Sequence, residues 1–529
     1  MMKVLVSDSL GQGGMDILRK EKNLQVDERV GLKPDELKKI IGDYDAILIR
    51  SATKLTADLI EAGKKLRVIG RAGVGVDNVD LDAATKRGII VMNTPEGNTI
   101  STAELSFSMM MAVARNIPQA DAHVKKGEWK RNKFQGTELN GKTLGIVGFG
   151  RIGREVAKRA AAFNMKVMVF DPFISKEAVK QYPVEFVDVP ALLKNSDFLT
   201  FHTPLTKETK GLLNHETFKL CKKGIRIVNC ARGGIVDEAA LAEAIQNGQV
   251  AGAAFDVFVT EPPAADNPLL KLPQFICTPH LGAVTQEAQE NVAVDVAKQV
   301  IDVLNDRAIR NAVNLPNLDP DTLKGLKHWL VLAEKIGMLY SQLFSGSFKK
   351  VEIRYGGDPT RFNVKPLTMA VLKGLLKPIC GDSVNFINAL AMAKERGISI
   401  TESRSDENEG FTSFIDVEVV QGKEMHRIMG TLFSNEPRIV RLNEFMIDVV
   451  PLGWVLFVKN DDLPGVVGTI GTVLAKNGVN IAEMSLGRVG KGKRAYAMTA
   501  INTDSEVPAK VVGLIKKNKL VIDVKVVKL

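Results

Sequence analysis

The sequence is poor in the residues that build metal centres, disulfide frameworks and nucleic-acid platforms. Its 529 residues include four cysteines, six histidines, three tryptophans and five tyrosines. Cys221, Cys230, Cys277 and Cys380 show no CxxC spacing and no accompanying histidine pattern. That speaks against a metal site or a disulfide framework, and the four are read as reduced thiols. No apolar run approaches the ~18 residues that a membrane span requires. The opening MMKVLVSDSL lacks a signal-type apolar segment and reads at once as a strand, so a cytoplasmic protein is expected. Basic residues exceed acidic ones by ten, but the excess forms no block and is not interleaved with aromatics. Neither nucleic acid nor membrane is expected as a partner. A mild positive charge suits an anionic small substrate and a phosphate-bearing cofactor.

What the chain does contain is length and alternation. Domains of ~100–200 residues imply three or four here. KVLVSD, DAILIRS, LRVIGRAG and GIIVMNT read as strands, with GGMDILRKE, PDELKKII, TADLIEAG and LDAATKRG as helices between them. This is the pattern of a parallel sheet covered on both faces. Residues 98–116 form a long apolar helix whose methionines read as core filler. A second strand–helix series then runs from TLGIVG to FICTPHLG, followed by a long helix with Val292, Val296 and Val300 on one stripe.

Two α/β series and a returning helix predict a nested layout, with a discontinuous flavodoxin-like domain (1–97 and 283–315) enclosing a Rossmann domain (98–282). Hinges are expected near 95–100 and 282–287, with a ligand cleft between the two domains. An α+β intervening domain (316–452) is expected next, its helices at 323–345, 366–376 and 383–396 preceding strands at 411–420, 425–433 and 438–450, with a polar loop, SRSDENEG, between them. Residues 453–529 read as β-α-β-β-α-β, the ferredoxin-like order.

The stretch LGIVGFGRIGREVA (144–157) is the clearest chemical signal. GxGxxG alone is weak, but here a strand precedes it and a helix follows. A second strand ends in Asp171, 18 residues after Gly153. Gly148 permits the sharp turn, Gly150 lets backbone approach a pyrophosphate, and Gly153 allows close helix–strand packing. The helix N-terminus offers unpaired N–H groups to phosphate. Asp171 stands where a carboxylate would hold the adenosine ribose hydroxyls and repel a 2′-phosphate, which favours NAD over NADP.

A nicotinamide enzyme acting on a hydroxy acid needs a cation for the substrate carboxylate, a base for the hydroxyl proton and a partner for that base. His280, in TPHLGA, and His202, in HTP, follow strands, whereas His123, His215, His328 and His426 sit in polar or helical settings and read as structural. Arg232 ends the strand RIVNCA, and Glu261 precedes two prolines. Ligands bind at strand ends of open α/β sheets. Taken singly, an arginine after a strand is commonly a surface ion pair and a glutamate before prolines is commonly solvated.

Together, NCARGGIVDE, AFDVF…EPP and PHLGA, in that order behind GFGRIG, resemble the D-isomer-specific 2-hydroxyacid dehydrogenases over residues 1–315. The resemblance implies an NAD-dependent enzyme. Arg232 would bind the substrate carboxylate and carbonyl, His280 would act as general acid/base, and Glu261 would be its partner. It also implies Asp256 on the nicotinamide side, with Arg151, Ile152, Thr203, Cys230, Ala231 and the segment 280–283, including Gly282 and Ala283, lining the cofactor.

IRSATKLT, GRAGVGVDNVD and MNTPEGNTISTAELSFSMM resemble those members of the family that act on 3-phosphoglycerate and open serine synthesis. Their long form carries an intervening domain and a C-terminal ACT domain. Asp462-Leu-Pro-Gly465 with Asn480 resembles the ACT signature. Val74 departs from the pattern, because relatives often place a polar residue there. Arg50 and Arg71 at strand ends, and Arg131 from a partner subunit, are the candidates for further substrate contacts. Arginine's planar fork suits carboxylate and phosphate. Asn460, Asp462 and Asn480 are the candidates for contacts to an L-serine effector. Two self-association surfaces predict a homotetramer as a dimer of dimers. Three other readings remain at this point. One is a different 2-hydroxyacid dehydrogenase, such as a glyoxylate/hydroxypyruvate reductase. Another is a non-catalytic NAD-sensing co-repressor on the same fold. The third is an ACT-based sensor with an inactive enzyme domain.

Overall fold

Strands that are apolar at successive positions must be buried on both faces. AILI, at Ala46–Ile49, is buried throughout. In the computed structural model, which describes residues 1–174, 176–307, 309–315, 320–344, 346–405, 410–490 and 495–529, it is the central strand of the first sheet. That sheet contains β1 (Met2–Val6), β2 (Leu24–Glu28), β3 (Ala46–Ile49), β4 (Val68–Arg71) and β5 (Ile90–Met92). All pairings are parallel, in the order β2-β1-β3-β4-β5. Its helices are α1 (Gln12–Lys20), α2 (Pro34–Ile40), α3 (Ala57–Ala62) and α4 (Leu81–Lys86). Leu37, Leu59, Ile60 and Ala84 cover one face.

The chain leaves this sheet through α5 (Thr99–Arg115) and α6 (Ile117–Lys125). Asn116, with φ 51°, closes α5 in the left-handed conformation and Pro118 opens α6. The second series follows as β6 (Thr143–Val147), α7 (Arg151–Ala162), β7 (Lys166–Phe170), α8 (Lys176–Val179), β8 (Glu185–Phe186), α9 (Val189–Asn195), β9 (Phe198–Phe201), α10 (His215–Phe218), β10 (Ile225–Asn229), α11 (Glu238–Gln246), β11 (Val250–Phe255) and β12 (Phe275–Cys277). The strands are parallel in the order β12-β11-β10-β9-β6-β7-β8. The order reverses between β6 and β9, and ligands of such sheets bind at that switch point.

Helix α12 (Gln286–Leu304) then returns to the first sheet, where Val292, Val296, Ala297 and Val300 pack against Val4, Val6 and Leu48. It meets α1 at glycines. A Cβ at Gly14 would lie 2.6 Å from the Ala293 carbonyl oxygen. The Gly13 N–H donates to Glu290 Oε1 at 2.7 Å. LGQGG, at 10–14, is therefore a second glycine-rich strand–helix turn, but a carboxylate of α12 fills its helix N-terminus.

The third unit contains α13 (Pro320–Leu343), β13 (Lys350–Gly356), α14 (Lys365–Cys380), α15 (Ala389–Glu395), β14 (Ser399–Ser405), β15 (Phe414–Gln421), β16 (Glu424–Phe433), β17 (Glu436–Leu442) and β18 (Phe445–Val449). Its sheet runs β14-β13-β15-β16-β17-β18 and is antiparallel except between β13 and β14. Three details differ from the sequence reading. Strand β13 lies between the first two helices, and β14 lies where no strand was read, its end overlapping the start of the polar loop. The single strand expected over 438–450 is instead a hairpin turning at Asn443, φ 53°. The charged, mostly exposed edge strand β14 (SITESRS) hides the alternation by which strands are recognised. Of the loop SRSDENEG, residues 406–409 lie outside the described residues.

The last unit is β19 (Trp454–Asp461), α16 (Val466–Lys476), β20 (Ile481–Val489), β21 (Tyr496–Thr503), α17 (Ala509–Lys516) and β22 (Val521–Lys528), with sheet order β20-β21-β19-β22. One face packs on its helices through Leu456, Val458 and Ile501. On the other, Val455, Phe457 and Ala500 join the core of the third unit. That unit in turn meets the first sheet. Met369 and Ile387 share its core, and Asn385 donates to the Gly88 carbonyl at 2.9 Å.

Candidate active site

The turn after β6 has the geometry of a cradle. Gly148 has φ 94°, and a Cβ there would lie 2.5 Å from the His202 carbonyl oxygen. A Cβ at Gly153 would overlap the Gly148 carbonyl, whereas one at Gly150 meets nothing within 4 Å. Backbone is thus packed tightly behind the turn and is open in front of it. No side chain caps α7 at Gly150, so its first N–H groups are available to an anion. The Thr203 hydroxyl, buried beside the turn, has no partner. These residues fit a dinucleotide pyrophosphate. Asp171 accepts from the Phe149 N–H at 2.8 Å through Oδ2 and from the Phe173 N–H at 2.8 Å through Oδ1. Both bonds fix its carboxylate at the lip of the turn. Arg151 begins α7 and pairs with Glu96 at 3.0 Å. Ile152 packs against the core that holds Phe149, and burial pushes the Cys230 thiol up to about 12. Ala231 is tied to Asn229 Oδ1 at 3.1 Å.

His280 and Glu261 meet, with Nδ1 and Oε2 2.7 Å apart. Glu261 Oε1 also accepts the Phe258 N–H at 3.1 Å. A carboxylate on Nδ1 places the neutral ring's proton there, so Nε2 is the atom that can take one up. His280 itself has φ 56°. The segment after it is clamped by Asp256, whose Oδ1 accepts from Leu281 N–H at 2.7 Å and Thr278 hydroxyl at 2.6 Å. Asp256 Oδ2 accepts the Gly282 N–H at 2.9 Å, and Thr102 of α5 donates to the Gly282 carbonyl at 2.9 Å. Asp256 thus organises the loop that carries His280, Gly282 and Ala283. No local pattern could reveal this, because its partners are 22 to 26 residues away.

The cations gather across the cleft. Burial, with Arg232 and Arg50 close by, lowers the Arg71 guanidinium to about 10, and Asp77 and Asp8 oppose the shift. Asp8 organises this rim by accepting the Arg50 N–H at 2.5 Å and the Thr53 hydroxyl at 2.7 Å. Arg131 is not among the leading charges that act on Arg71. It stands on an exposed turn that reaches Gly136, which abuts Ala114 and Arg115. That is the far end of α5, ~25 Å from Thr99.

The effector candidates are also separated. Asn460 is buried in β19, and its side chain donates to the Asp461 carbonyl at 2.7 Å; Asp462 pairs with Arg488. Asn480 donates to Asp504 at 2.7 Å. It precedes Ile481, which pairs with Thr503, itself opposite Trp454 at the other end of β19. Six residue steps along β19 separate Trp454 from Asn460, ~20 Å. One site built from all three requires two copies of the chain.

His202 is a further group, half-buried, with a ring nitrogen sealed inside. Nε2 contacts Thr200 Oγ1 at 3.1 Å, and Nδ1 is sealed from solvent without a partner. Burial holds its imidazole down at about 3. The unfolded chain protonates this ring near ~6.5. The stability contributed by keeping it neutral is full above that value and is lost as pH falls towards 3. Thermal midpoints should therefore fall less between about pH 7.5 and about pH 5 in His202→Asn than in the wild type. Equal slopes would remove His202 as a cause of acid sensitivity.

Fold and site together define an NAD-binding D-isomer-specific 2-hydroxyacid dehydrogenase. Residues 107–282 match the family model of that NAD-binding domain, 325–443 match the D-3-phosphoglycerate dehydrogenase intervening domain, and 454–519 match the ACT domain. The chain is 47% identical to D-3-phosphoglycerate dehydrogenase of Archaeoglobus fulgidus, over 92% of this chain and 93% of that one. It is 46% identical to the enzyme of the same name from Bacillus subtilis, over 96% of each. A D-lactate dehydrogenase from Aquifex aeolicus, solved with NAD and lactic acid, superposes with a TM-score of 0.50 at 30% identity, over 57% of this chain and 96% of that one. The chain belongs to the D-3-phosphoglycerate dehydrogenase family. Among the described residues no helix is long and apolar enough to cross a membrane, and no group of His, Cys, Asp or Glu could hold a metal ion.

Proposed function

We propose that the protein oxidises 3-phospho-D-glycerate to 3-phosphohydroxypyruvate with NAD, the first step of L-serine synthesis. The observation that carries this is the gathering of Arg50, Arg71 and Arg232 at one cleft, in a chain that also carries the paired His280 and Glu261. When bound, NAD supplies the acceptor for the hydride that leaves C2. Gly148, Gly150 and Gly153 with the start of α7 hold its pyrophosphate, and Asp171 holds the adenosine ribose. Arg151, Ile152, Thr203, Cys230, Ala231, Gly282 and Ala283 line it.

Arg232 grips the substrate carboxylate, while Arg50 and Arg71 hold the phosphate at the opposite rim. Arg131 joins them from a partner subunit. His280 Nε2 takes the C2 hydroxyl proton, and Glu261 stabilises the imidazolium that results. Asp256 keeps the His280 loop in place throughout. We place the domain boundaries at 97/98, 282/283, 315/316 and 452/453, so that closure brings the two halves of the site together.

The reading is tested by NADH formation with 3-phosphoglycerate, glycerate, lactate and 2-hydroxyglutarate. A preference for any of the last three replaces it. The cofactor preference is tested at Asp171. Asp171→Ala should narrow the preference for NAD over NADP by ~10-fold or more, since the carboxylate repels a 2′-phosphate. An unchanged ratio of kcat/KM values removes that role. Regulation follows from the ACT unit, with L-serine held between two copies by Asn460, Asp462 and Asn480, in a tetramer. Millimolar L-serine should lower the steady-state rate, and a rate unmoved by it discards the effector.

A further inference from the structure

Asp77 has no place in the site as set out above, yet it is the acid that reaches Arg232. It lies in the loop 72–78 that follows β4, and its Oδ2 accepts from Arg232 Nε at 3.2 Å. Arg232 follows β10 in the other sheet, 155 residues away. Arg232 Nη1 donates to the Ala231 carbonyl at 2.7 Å. A guanidinium carries five N–H groups in one rigid plane. These two contacts use one group on Nε and one on Nη1, so they fix the plane from both sides. They leave two N–H groups on Nη2 and one on Nη1, enough to pair with both oxygens of a carboxylate. Gly75 makes the approach possible, because a Cβ there would overlap Nη2.

The pair is a poor candidate for simple glue. The Asp77 side chain is 78% exposed and that of Arg232 30%, and exposed ion pairs contribute little stability. Asp77 takes the Nε side of the guanidinium, which directs a substrate carboxylate to the Nη groups. It also stands near Arg71 and offsets the repulsion between Arg71 and Arg232. We propose that Asp77 is a positioning residue: from the substrate side of the cleft it aligns Arg232 on the nucleotide side, so that closure presents the Nη1/Nη2 edge to the substrate carboxylate. This rests on the role proposed for Arg232.

Calorimetric titration of 3-phosphoglycerate into the enzyme–NADH complex tests it, with steady-state kinetics alongside. Asp77→Ala should weaken 3-phosphoglycerate binding ~10-fold, through a misdirected partner, and leave NADH affinity unchanged. Asp77→Asn keeps an acceptor oxygen and should stay within ~2-fold of the wild type. In an Arg232→Ala background, Asp77→Ala should add nothing, because residues that act as a unit are not additive. Three results overturn the alignment alone: Asp77→Ala binding as well as or better than the wild type, Asp77→Asn failing as badly as Asp77→Ala, or additive losses in the double variant. A wild-type complex that does not bind 3-phosphoglycerate, or an Arg232→Ala protein that binds it normally, overturns the substrate reading together with the alignment.

Discussion

His280→Ala should lower turnover with 3-phosphoglycerate by ~10²–10⁴-fold, the contribution usual for a positioned general base, while NADH affinity stays at the wild-type value. The ring is tied to Glu261 through Nδ1 at 2.7 Å, so its removal takes away the proton acceptor and nothing of the glycine cradle. The following segment is held by Asp256 through Leu281 and Gly282. The backbone therefore keeps its path, and alanine tolerates the change in side chain better than it tolerates φ 56°. Strain at φ 56° would displace the segment 280–283 beside the cofactor and would show as a change in NADH affinity. Stopped-flow measurement of NADH formation, with a fluorescence titration of NADH as control, separates the two. Turnover within a few-fold of the wild type would remove His280 as the base.

Arg232→Lys should lower kcat/KM by ~10²-fold although the charge is kept. The lysine ammonium is a point charge on a flexible stem. It cannot hold Asp77, the Ala231 carbonyl and a substrate carboxylate in one plane, as the guanidinium geometry allows. Loss should fall mainly on substrate binding, with a smaller share on turnover as the reacting carbon drifts from its place. Kinetics with 3-phosphoglycerate varied at saturating NAD resolve the two shares. A lysine variant with wild-type kcat/KM would show that charge alone serves, and that the fork is dispensable.

Much of this protein was legible without coordinates because it is local. The turn 148–153 is a strand, three glycines and a helix within one short stretch, and Asp171 ends the next strand. Gly148 at φ 94° and the overlap that a Cβ at Gly153 would make are the physical content of those letters. Arg232, Glu261 and His280 could be picked out as strand-end residues of the right chemical types. Their grouping came from resemblance, because a pairing over 19 residues has no local signature.

Other features depend on contacts between distant segments, and only the tertiary structure decided them. LGQGG near the N-terminus is also a glycine-rich strand–helix turn, but Glu290 of α12 closes it, 277 residues on. The resemblance implies only that Asp256 lies on the nicotinamide side; that three donors from the His280 loop converge on it is seen in the structure alone. Asp77 and Arg232 meet because two sheets face each other. Strand β14 is held by β13 through backbone hydrogen bonds, which do not require the apolar alternation that a sequence displays. Asn460 and Asn480 share a signature in the sequence and sit at opposite ends of one sheet, because β21 fixes the register between β19 and β20. The sequence by itself determined the cofactor turn and the order of the folding units, through propensity and periodicity within single elements. Which acid answers which cation, and which glycine turn stays open, was decided by packing between elements that the chain order keeps far apart.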